Sequence, residues 1–204
     1  MNHESTVFVV DDDPAMRNSL CWLVESIGLH VETYPSAADF LANYHPARPG
    51  CLVADVRMPG MSGLELQEKL ATNRIPIPII IITGHGDVAM AVRAMKIGAV
   101  DFIEKPFNDQ LLLDRIQQAL GKDEEARLSN IEREIVTARI ALLTPREREV
   151  MEHVVAGQLN KQIAADLNIS IKTVEVHRAK IMEKMQASTL SKLVEMVLRH
   201  KGKP

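Results

Sequence analysis

The run Cys51-Leu52-Val53-Ala54-Asp55-Val56-Arg57-Met58-Pro59-Gly60 indicates the fold class of the first half of this 204-residue chain. A short apolar run that ends in turn residues predicts a strand buried on both faces of a sheet. Asp55 would end this strand, and a buried carboxylate costs free energy unless it is paired or used. Because ligands of open α/β sheets bind at the carboxyl ends of the strands, Asp55 is a candidate site residue.

Apolar runs and helical patterns alternate through residues 1–120. Four more strands are expected, at residues 6–10, 30–34, 78–83 and 100–104. The first helix would bury one face and end at Gly28; that face comprises Met16, Leu20, Leu23, Val24 and Ile27. The other helices are expected at residues 37–44, 63–72, 88–97 and 108–120. This alternation predicts an α/β doubly wound five-stranded parallel sheet with helices on both faces.

Polar residues stand where four of these strands end. Asp11 and Asp12 follow the first strand, and the others are Asp55, Thr83 and Lys105. Clustered carboxylates repel each other unless a cation is present, and oxygen ligands favour Mg²⁺. A lysine ammonium and a threonine hydroxyl beside them would hold a phosphoryl group while Asp55 attacks in line. The expected reaction is formation of an aspartyl phosphate.

Each of these residues also has a plainer interpretation. Asp13 before Pro14 is explained by helix capping alone. A threonine that ends a strand is commonly only a β-former, and a Lys-Pro pair is commonly a turn. His85 in Gly-His-Gly is expected to be a loop histidine rather than a ligand. The coincidence of five polar residues at four strand ends favours a site.

The composition indicates a protein of the cytoplasm. No apolar run is long enough to span a membrane, no signal peptide is predicted, and Cys21 and Cys51 are expected to be reduced core residues. Residues 1–120 carry 15 acidic and 9 basic side chains, whereas residues 121–204 carry 12 acidic and 15 basic ones. The net charges of −6 and +3 suggest that only the second half meets a polyanion.

Residues 121–142 are expected to form a helical linker between a domain of residues 1–120 and one of residues 143–204. Apolar residues recur there at steps of three and four: Leu128, Ile131, Ile135, Ala138 and Leu142. This stripe fits two heptads of a coiled coil, which would pair in a dimer, but it also fits a helix that docks on its own C-terminal domain. Both alternatives stay open at this point.

Residues 143–204 predict a smaller all-α domain of four helices. Thr144-Pro145-Arg146-Glu147 is a strong helix start, and Ser170 would cap the longer helix after a short helix and a tight turn. This order is that of a helix-turn-helix. In the longer helix Val174, Ile181 and Met185 would face the core, with His177 and Arg178 at the margin. Its outward face suits the major groove, with Lys172 and Lys180 near phosphates and Glu175, Val176 and Ala179 near base edges.

The first 120 residues resemble the receiver domain of two-component response regulators, a flavodoxin-like fold. The resemblance lies in Val-Val-Asp-Asp-Asp, Asp-Val-Arg-Met-Pro-Gly-Met-Ser-Gly, Ile-Thr-Gly-His-Gly-Asp and Asp-Phe-Ile-Glu-Lys-Pro-Phe. It implies that Asp55 is the phosphoacceptor for a sensor histidine kinase. Mg²⁺ would be held by Asp11, Asp12, Asp55 and the backbone carbonyl of Arg57. Thr83 and Phe102 would rearrange on phosphorylation, Lys105 would contact the phosphoryl group, and a cis peptide would precede Pro106.

The C-terminal part resembles the LuxR-type helix-turn-helix domain, and the combination is similar to FixJ-type response regulators. The resemblance implies promoter DNA and RNA polymerase as partners. It also implies a homodimer, formed on phosphorylation through the fourth helix and fifth strand of the receiver. The DNA-binding residues would be Asn160, Lys161, Lys172, Thr173, Glu175, Val176, Arg178, Ala179 and Lys180. Glu175 stands where some relatives carry a basic residue, and a glutamate can accept a hydrogen bond from cytosine.

Two other functions compete with a phosphorylation-switched transcription factor. One is a phosphotransferase or phosphatase with an aspartyl-phosphate intermediate, but the sequence has no Gly-rich phosphate loop. The other is a constitutive DNA binder with a degenerate receiver, which the complete acidic pocket disfavours. We therefore expect a transcription regulator with no catalytic residues of an enzyme.

Overall fold

The computed structural model describes residues 5–202 of the chain. It divides the chain into two compact units, with the boundary between Arg127 and Leu128. In the described residues, no helix combines the length and the hydropathy needed to cross a membrane.

The first unit is built on a five-stranded parallel sheet, as predicted. Its strands are β1 (Thr6–Val10), β2 (His30–Tyr34), β3 (Gly50–Asp55), β4 (Ile79–Thr83) and β5 (Asp101–Glu104). Their order in the sheet is β2-β1-β3-β4-β5, with every neighbouring pair parallel. Strand β3 is central and buried on both faces, because Leu52 and Ala54 join one hydrophobic cluster while Cys51 and Val53 join the other. The sheet thus has a core on each side.

The helices of this unit begin at the caps that the sequence indicates. They are α1 (Pro14–Glu25), α2 (Ala37–Asn43), α3 (Gly63–Thr72), α4 (Val88–Ile97) and α5 (Asp109–Ala141). Asp13, Ser36, Ser62 and Asp87 each accept a hydrogen bond from a backbone N–H of the first turn. Gly98 ends α4 in the left-handed conformation, which a glycine adopts at little cost.

Two predictions for α1 are wrong. The helix ends at Glu25, and Ile27 is exposed rather than part of the buried face. The chain turns at Ser26–Gly28, where Gly28 has a φ of +78°, and Ile27 lies in this turn rather than in the helix. Cys51 is buried as expected, whereas Cys21 is only half-buried.

Helix α5 also departs from the prediction, since it does not end near residue 120 but runs without a break through the expected linker to Ala141. Gly121 lies in this helix on an exposed position. Two residues further on, the buried carboxylate of Asp123 accepts hydrogen bonds from Gly50 N (2.8 Å) and Arg127 Nε (2.6 Å). The Arg127 guanidinium also donates to the carbonyls of Pro46, Ala47 and Arg48. These bonds hold the helix past the glycine. The domain bounds 1–120, 121–142 and 143–204 stay a prediction.

The second unit contains the four predicted helices. They are α6 (Pro145–Val155), α7 (Asn160–Asp166), α8 (Ile171–Met185) and α9 (Leu190–Lys201). Thr144 and Glu147 form the expected capping box, and Ser170 and Thr189 cap α8 and α9. Asn168 turns the chain between α7 and α8 with a φ of +52°. Val150, Ile163, Val174, Ile181 and Met185 are at the centre of a single hydrophobic cluster.

Candidate functional site

Asp55 lies at the carboxyl end of β3, almost fully buried. Its Oδ1 accepts a hydrogen bond from Lys105 Nζ at 2.7 Å, and its Oδ2 accepts one from the Arg57 backbone N at 2.6 Å. The loop after β3 folds back so closely that a Cβ on Gly63 would lie 2.3 Å from the Asp55 carbonyl oxygen. Glycine at position 63 therefore allows the turn that positions Asp55.

Asp11 faces Asp55 from the end of β1 and is 1% exposed. Its Oδ2 accepts a hydrogen bond from Lys105 Nζ at 2.8 Å, and its Oδ1 accepts one from Asp13 N at 2.9 Å. Burial raises the pKa of Asp11, and the hydrogen bond from Lys105 opposes that rise without cancelling it. Protonation of Asp11 is thus easier than that of an ordinary aspartate.

Lys105 bridges the two carboxylates from the segment after β5. Burial acts to lower the pKa of this lysine, but its hydrogen bonds to Asp11 and Asp55 outweigh burial and raise the pKa. The ammonium group therefore keeps its charge. One ammonium opposite two carboxylates leaves a negative surplus in the crevice, which favours a cation there.

The donor set fits Mg²⁺, which takes one or two protein carboxylates and keeps several waters. Asp11 and Asp55 supply two carboxylates that share one hydrogen-bond donor. Asp12 is exposed, and residues 5–202 contain no group of three or more histidine, cysteine, aspartate or glutamate side chains placed to hold a metal ion. Metal binding by Asp11, Asp12, Asp55 and the carbonyl of Arg57 stays a prediction.

Thr83 and Phe102 lie on β4 and β5, two neighbouring strands of the same sheet. Thr83 is fully buried at the end of β4, and its carbonyl accepts a hydrogen bond from Lys105 N at 2.7 Å. The half-buried ring of Phe102 packs closely on Gly86, where a Cβ would lie 2.8 Å from the ring and 3.1 Å from Thr83 Cγ2. Gly86 therefore packs against both predicted switch residues, which leave no room for a side chain at position 86, and the sequence alone did not indicate this. The two glycines that flank His85 were the only indication in the sequence that the backbone is closely packed at this position.

Two neighbours of the site have the conformations that the sequence indicated. His85 is an exposed loop histidine, and its backbone N–H donates to Thr83 Oγ1 at 3.3 Å. The peptide bond between Lys105 and Pro106 is cis.

In the second unit, α8 presents the face that the sequence predicted. Val174, Ile181 and Met185 are buried. The exposed residues of the predicted DNA-binding set are Lys161, Lys172, Glu175, Val176, Ala179 and Lys180. Thr173 is half-buried, and its N–H and hydroxyl both contact Ser170 Oγ. The outward face of α8 is therefore narrow, with small side chains at its centre and a lysine at each end.

Asn160 and Arg178 contact each other instead of standing free. Arg178 Nη1 donates to Asn160 Oδ1 at 3.0 Å, which ties the start of α7 to the middle of α8. This bond fixes the angle between the two helices of the helix-turn-helix. Both residues therefore stabilise the motif, in addition to the contact with DNA that the sequence predicts for them.

Buried Glu147 and half-buried Lys184 form an ion pair that the sequence did not indicate. Lys184 Nζ donates to Glu147 Oε2 at 2.6 Å, and Thr144 N donates to the same oxygen at 2.9 Å. The bond from Lys184, followed by that from Thr144, lowers the pKa of Glu147 from 4.5 to about 2. The pair holds α6 against α8. The capping box was readable locally, but no sequence signal joins residues 37 positions apart.

The fold defines a class of protein: a five-stranded α/β domain of the receiver type followed by a helix-turn-helix domain. Residues 7–117 match the response regulator receiver domain, and residues 141–197 match the luxR family of bacterial regulatory proteins. The chain belongs to the two-component response regulators with a LuxR-type DNA-binding domain. Receiver domains generally use Mg²⁺ for phosphorylation and have histidine kinases as partners, and LuxR-type domains bind DNA.

Within that class the chain is of the FixJ type. It is 47% identical to the transcriptional regulatory protein FixJ of Bradyrhizobium diazoefficiens, over 98% of this chain and 97% of that protein. It is 50% identical to FixJ of Azorhizobium caulinodans, over 94% of this chain and 91% of that protein. The solved structure of the response regulator StyR aligns with a TM-score of 0.85 at 47% identity, over 95% of this chain and 98% of that one. These relatives are regulators and not enzymes.

Proposed function

We propose that this protein is a transcription factor switched on by phosphorylation of Asp55. The observation that carries the proposal is the single ammonium of Lys105 held between Asp11 and Asp55, at 2.8 and 2.7 Å. It marks a crevice with a buried acceptor carboxylate, a second carboxylate and a fixed positive charge. A histidine kinase would supply the phosphoryl group, and Mg²⁺ held by Asp11, Asp12, Asp55 and the Arg57 carbonyl would neutralise its oxygens.

The residues of the site divide the transfer among them. A carboxylate oxygen of Asp55 attacks phosphorus in line, an O–P bond forms, and the N–P bond to the kinase histidine breaks. Lys105 exchanges its contact with Asp55 for one with a phosphoryl oxygen. The Thr83 hydroxyl donates to another oxygen, and the space that Thr83 leaves lets Phe102 turn inward from its place against Gly86.

The switch would act on the second unit through dimerisation and DNA binding. Val88, Val92 and Met95 recur at steps of four and three on α4 and are exposed, Val88 by 81%. This apolar face supports dimerisation next to β5. The dimer would place two copies of α8 on promoter DNA and activate transcription with RNA polymerase as a further partner, which a promoter–reporter assay would test.

The first test is substitution of the acceptor. Asp55→Asn should abolish labelling by a small phosphodonor with Mg²⁺, because an amide oxygen is too weak a nucleophile. Asp13→Asn is the matched control: it changes an exposed residue that only caps α1, and asparagine caps equally well. Labelling measured by intact mass should persist in the control. A labelled Asp55→Asn protein would overturn the assignment.

A further inference from the structure

Helix α5 carries an apolar stripe that is exposed in the described part of the chain, residues 5–202. The linker stripe comprises Leu128, Ile131, Ile135 and Leu142, whose exposed fractions are 56%, 53%, 45% and 64%. With exposed Ala138, these residues recur at the alternating steps of three and four that define the a and d positions of two heptads. A contiguous row of exposed large apolar side chains marks a contact surface.

The stripe is not the surface by which α5 attaches to its own unit. Val136 and Leu143 are buried in the hydrophobic cluster of the second unit, and Ile140 packs against it. On the same side Arg139 donates hydrogen bonds to the Met185 carbonyl and to Gln186 Oε1. Docking on its own domain therefore occurs, but through a different face from the one the sequence pattern suggested. Among the described residues the linker stripe stays largely exposed, although Ile135 also borders a cavity between α5 and α9.

The charges beside the stripe fit a second copy of the same helix. With Leu128 and Ile135 at a positions, Glu134 falls at g and Arg139 at e. In a parallel pair the g residue of one helix faces the e residue of the following heptad of the other. Arg139 donates to a backbone carbonyl and to an amide oxygen, which are both neutral, so its positive charge is not cancelled and Glu134 of the second copy would face it. An antiparallel pair centred on the stripe would bring Glu132 near Arg139, but it would also bring Glu134 near Glu134, a repulsion that the parallel pair avoids.

We propose that the linker stripe is an interface between two copies of this chain, paired in parallel and in register. Two heptads give a weak coiled coil, so the stripe stabilises the dimer together with another contact between the copies. The first contact raises the effective concentration of the second. The inference adds a contact to the dimer of the proposed function, and it is tested separately from phosphorylation.

Disulfide cross-linking of the full chain tests the pairing. Leu128→Cys and Ile135→Cys are made singly in a Cys21→Ser background, with Asn130→Cys as the control at an exposed position beside the stripe. A disulfide needs Cα atoms within about 7 Å, which parallel helices in register provide at both stripe positions. We expect both variants to form covalent dimers well above the control. Cross-linking at only one position would overturn the parallel register, and cross-linking no greater than the control would overturn the interface.

A charge placed in the stripe separates this contact from the phosphorylation switch. Ile131→Lys should weaken phosphodonor-induced dimerisation by about tenfold or more in sedimentation equilibrium, because two lysines would meet at a core position. Asn130→Lys adds the same charge beside the stripe and should leave the dimer unchanged. Both variants should label on Asp55 like the wild type. A labelled Ile131→Lys protein that dimerises normally would show that the linker stripe is not part of the dimer interface. A wild-type protein that is not labelled would instead contradict the proposed function.

Discussion

Two buried carboxyl groups of this protein have opposite pKa shifts, and the difference lies in their hydrogen-bond donors. Asp11 must share the ammonium of Lys105 with Asp55, and burial prevails, so its pKa rises. On one oxygen Glu147 accepts bonds from Lys184 and from a backbone N–H, and the pKa of Glu147 falls to about 2. Asp11 and Asp55 together carry more negative charge than Lys105 neutralises, which suits binding of a cation. Glu147 is fully paired, which suits a structural contact.

The Glu147 pair should therefore stabilise the second unit in a pH-dependent way. Because its pKa is lower in the folded protein than the ordinary 4.5, the stabilisation is complete above pH 4.5 and is lost as the pH falls towards 2. Glu147→Gln should lower the free energy of opening by about 1–3 kcal/mol at pH 7. Amide hydrogen exchange in α6 and α8 measures this locally. The difference from wild type should shrink below pH 4.5.

The control for that experiment is Glu149→Gln in the same helix. Glu149 pairs with Arg146 at 2.7 Å, but both side chains are exposed, so its removal should cost about 1 kcal/mol or less. A difference between Glu147→Gln and wild type that stays constant from pH 7 to 3 would contradict the assigned cause. It would point to packing of the side chain rather than to its charge.

At the scale of elements, the sequence predicted the starts of helices well and the end of α5 poorly. Caps such as Ser62 and Thr144 act within four residues, so their chemistry is complete in the local sequence. The continuation of α5 past Gly121 is accompanied by a hydrogen bond between Asp123 and Gly50, which are 73 positions apart. The site residues were found because parallel strands carry their ends to one edge. Gly86 was missed because its importance lies in the space that Phe102 needs.

The exposed face of α8 allows a test of how this helix contacts DNA. Lys180 is exposed and stands beside the small residues of that face, where a phosphate contact is predicted. Lys180→Ala should weaken binding to specific and unrelated DNA alike, and reduce the slope of log K against log salt by about 1. The control is Lys69→Ala, which removes the same single positive charge from an exposed position on α3. This variant should leave the slope unaltered. A loss confined to one base position would mean that Lys180 reads sequence instead.

At the scale of the whole molecule, the chain separates a sensing half from a DNA-binding half in charge as well as in fold. Residues 1–120 carry a net charge of −6 and residues 121–204 one of +3, and each unit has its own hydrophobic core. An acidic receiver repels DNA, so it contributes no affinity of its own. The receiver therefore has to control DNA binding through geometry or assembly, and the exposed faces of α4 and α5 are suited to assembly.

Phosphorylation should accordingly shift the protein from monomer to dimer, and a charge on α4 should block that shift. Val92→Lys places an ammonium group in the exposed apolar face, where the dimer would have to bury it unpaired. Sedimentation with a phosphodonor and Mg²⁺ should give a dimer for the wild type and a monomer for Val92→Lys, with Asp55 labelled in both. The control is Trp22→Lys, which adds the same charge at an exposed position on α1. This variant should still dimerise. A dimer of labelled Val92→Lys would exclude the α4 face from the interface, and the linker stripe would then have to hold the copies together without it.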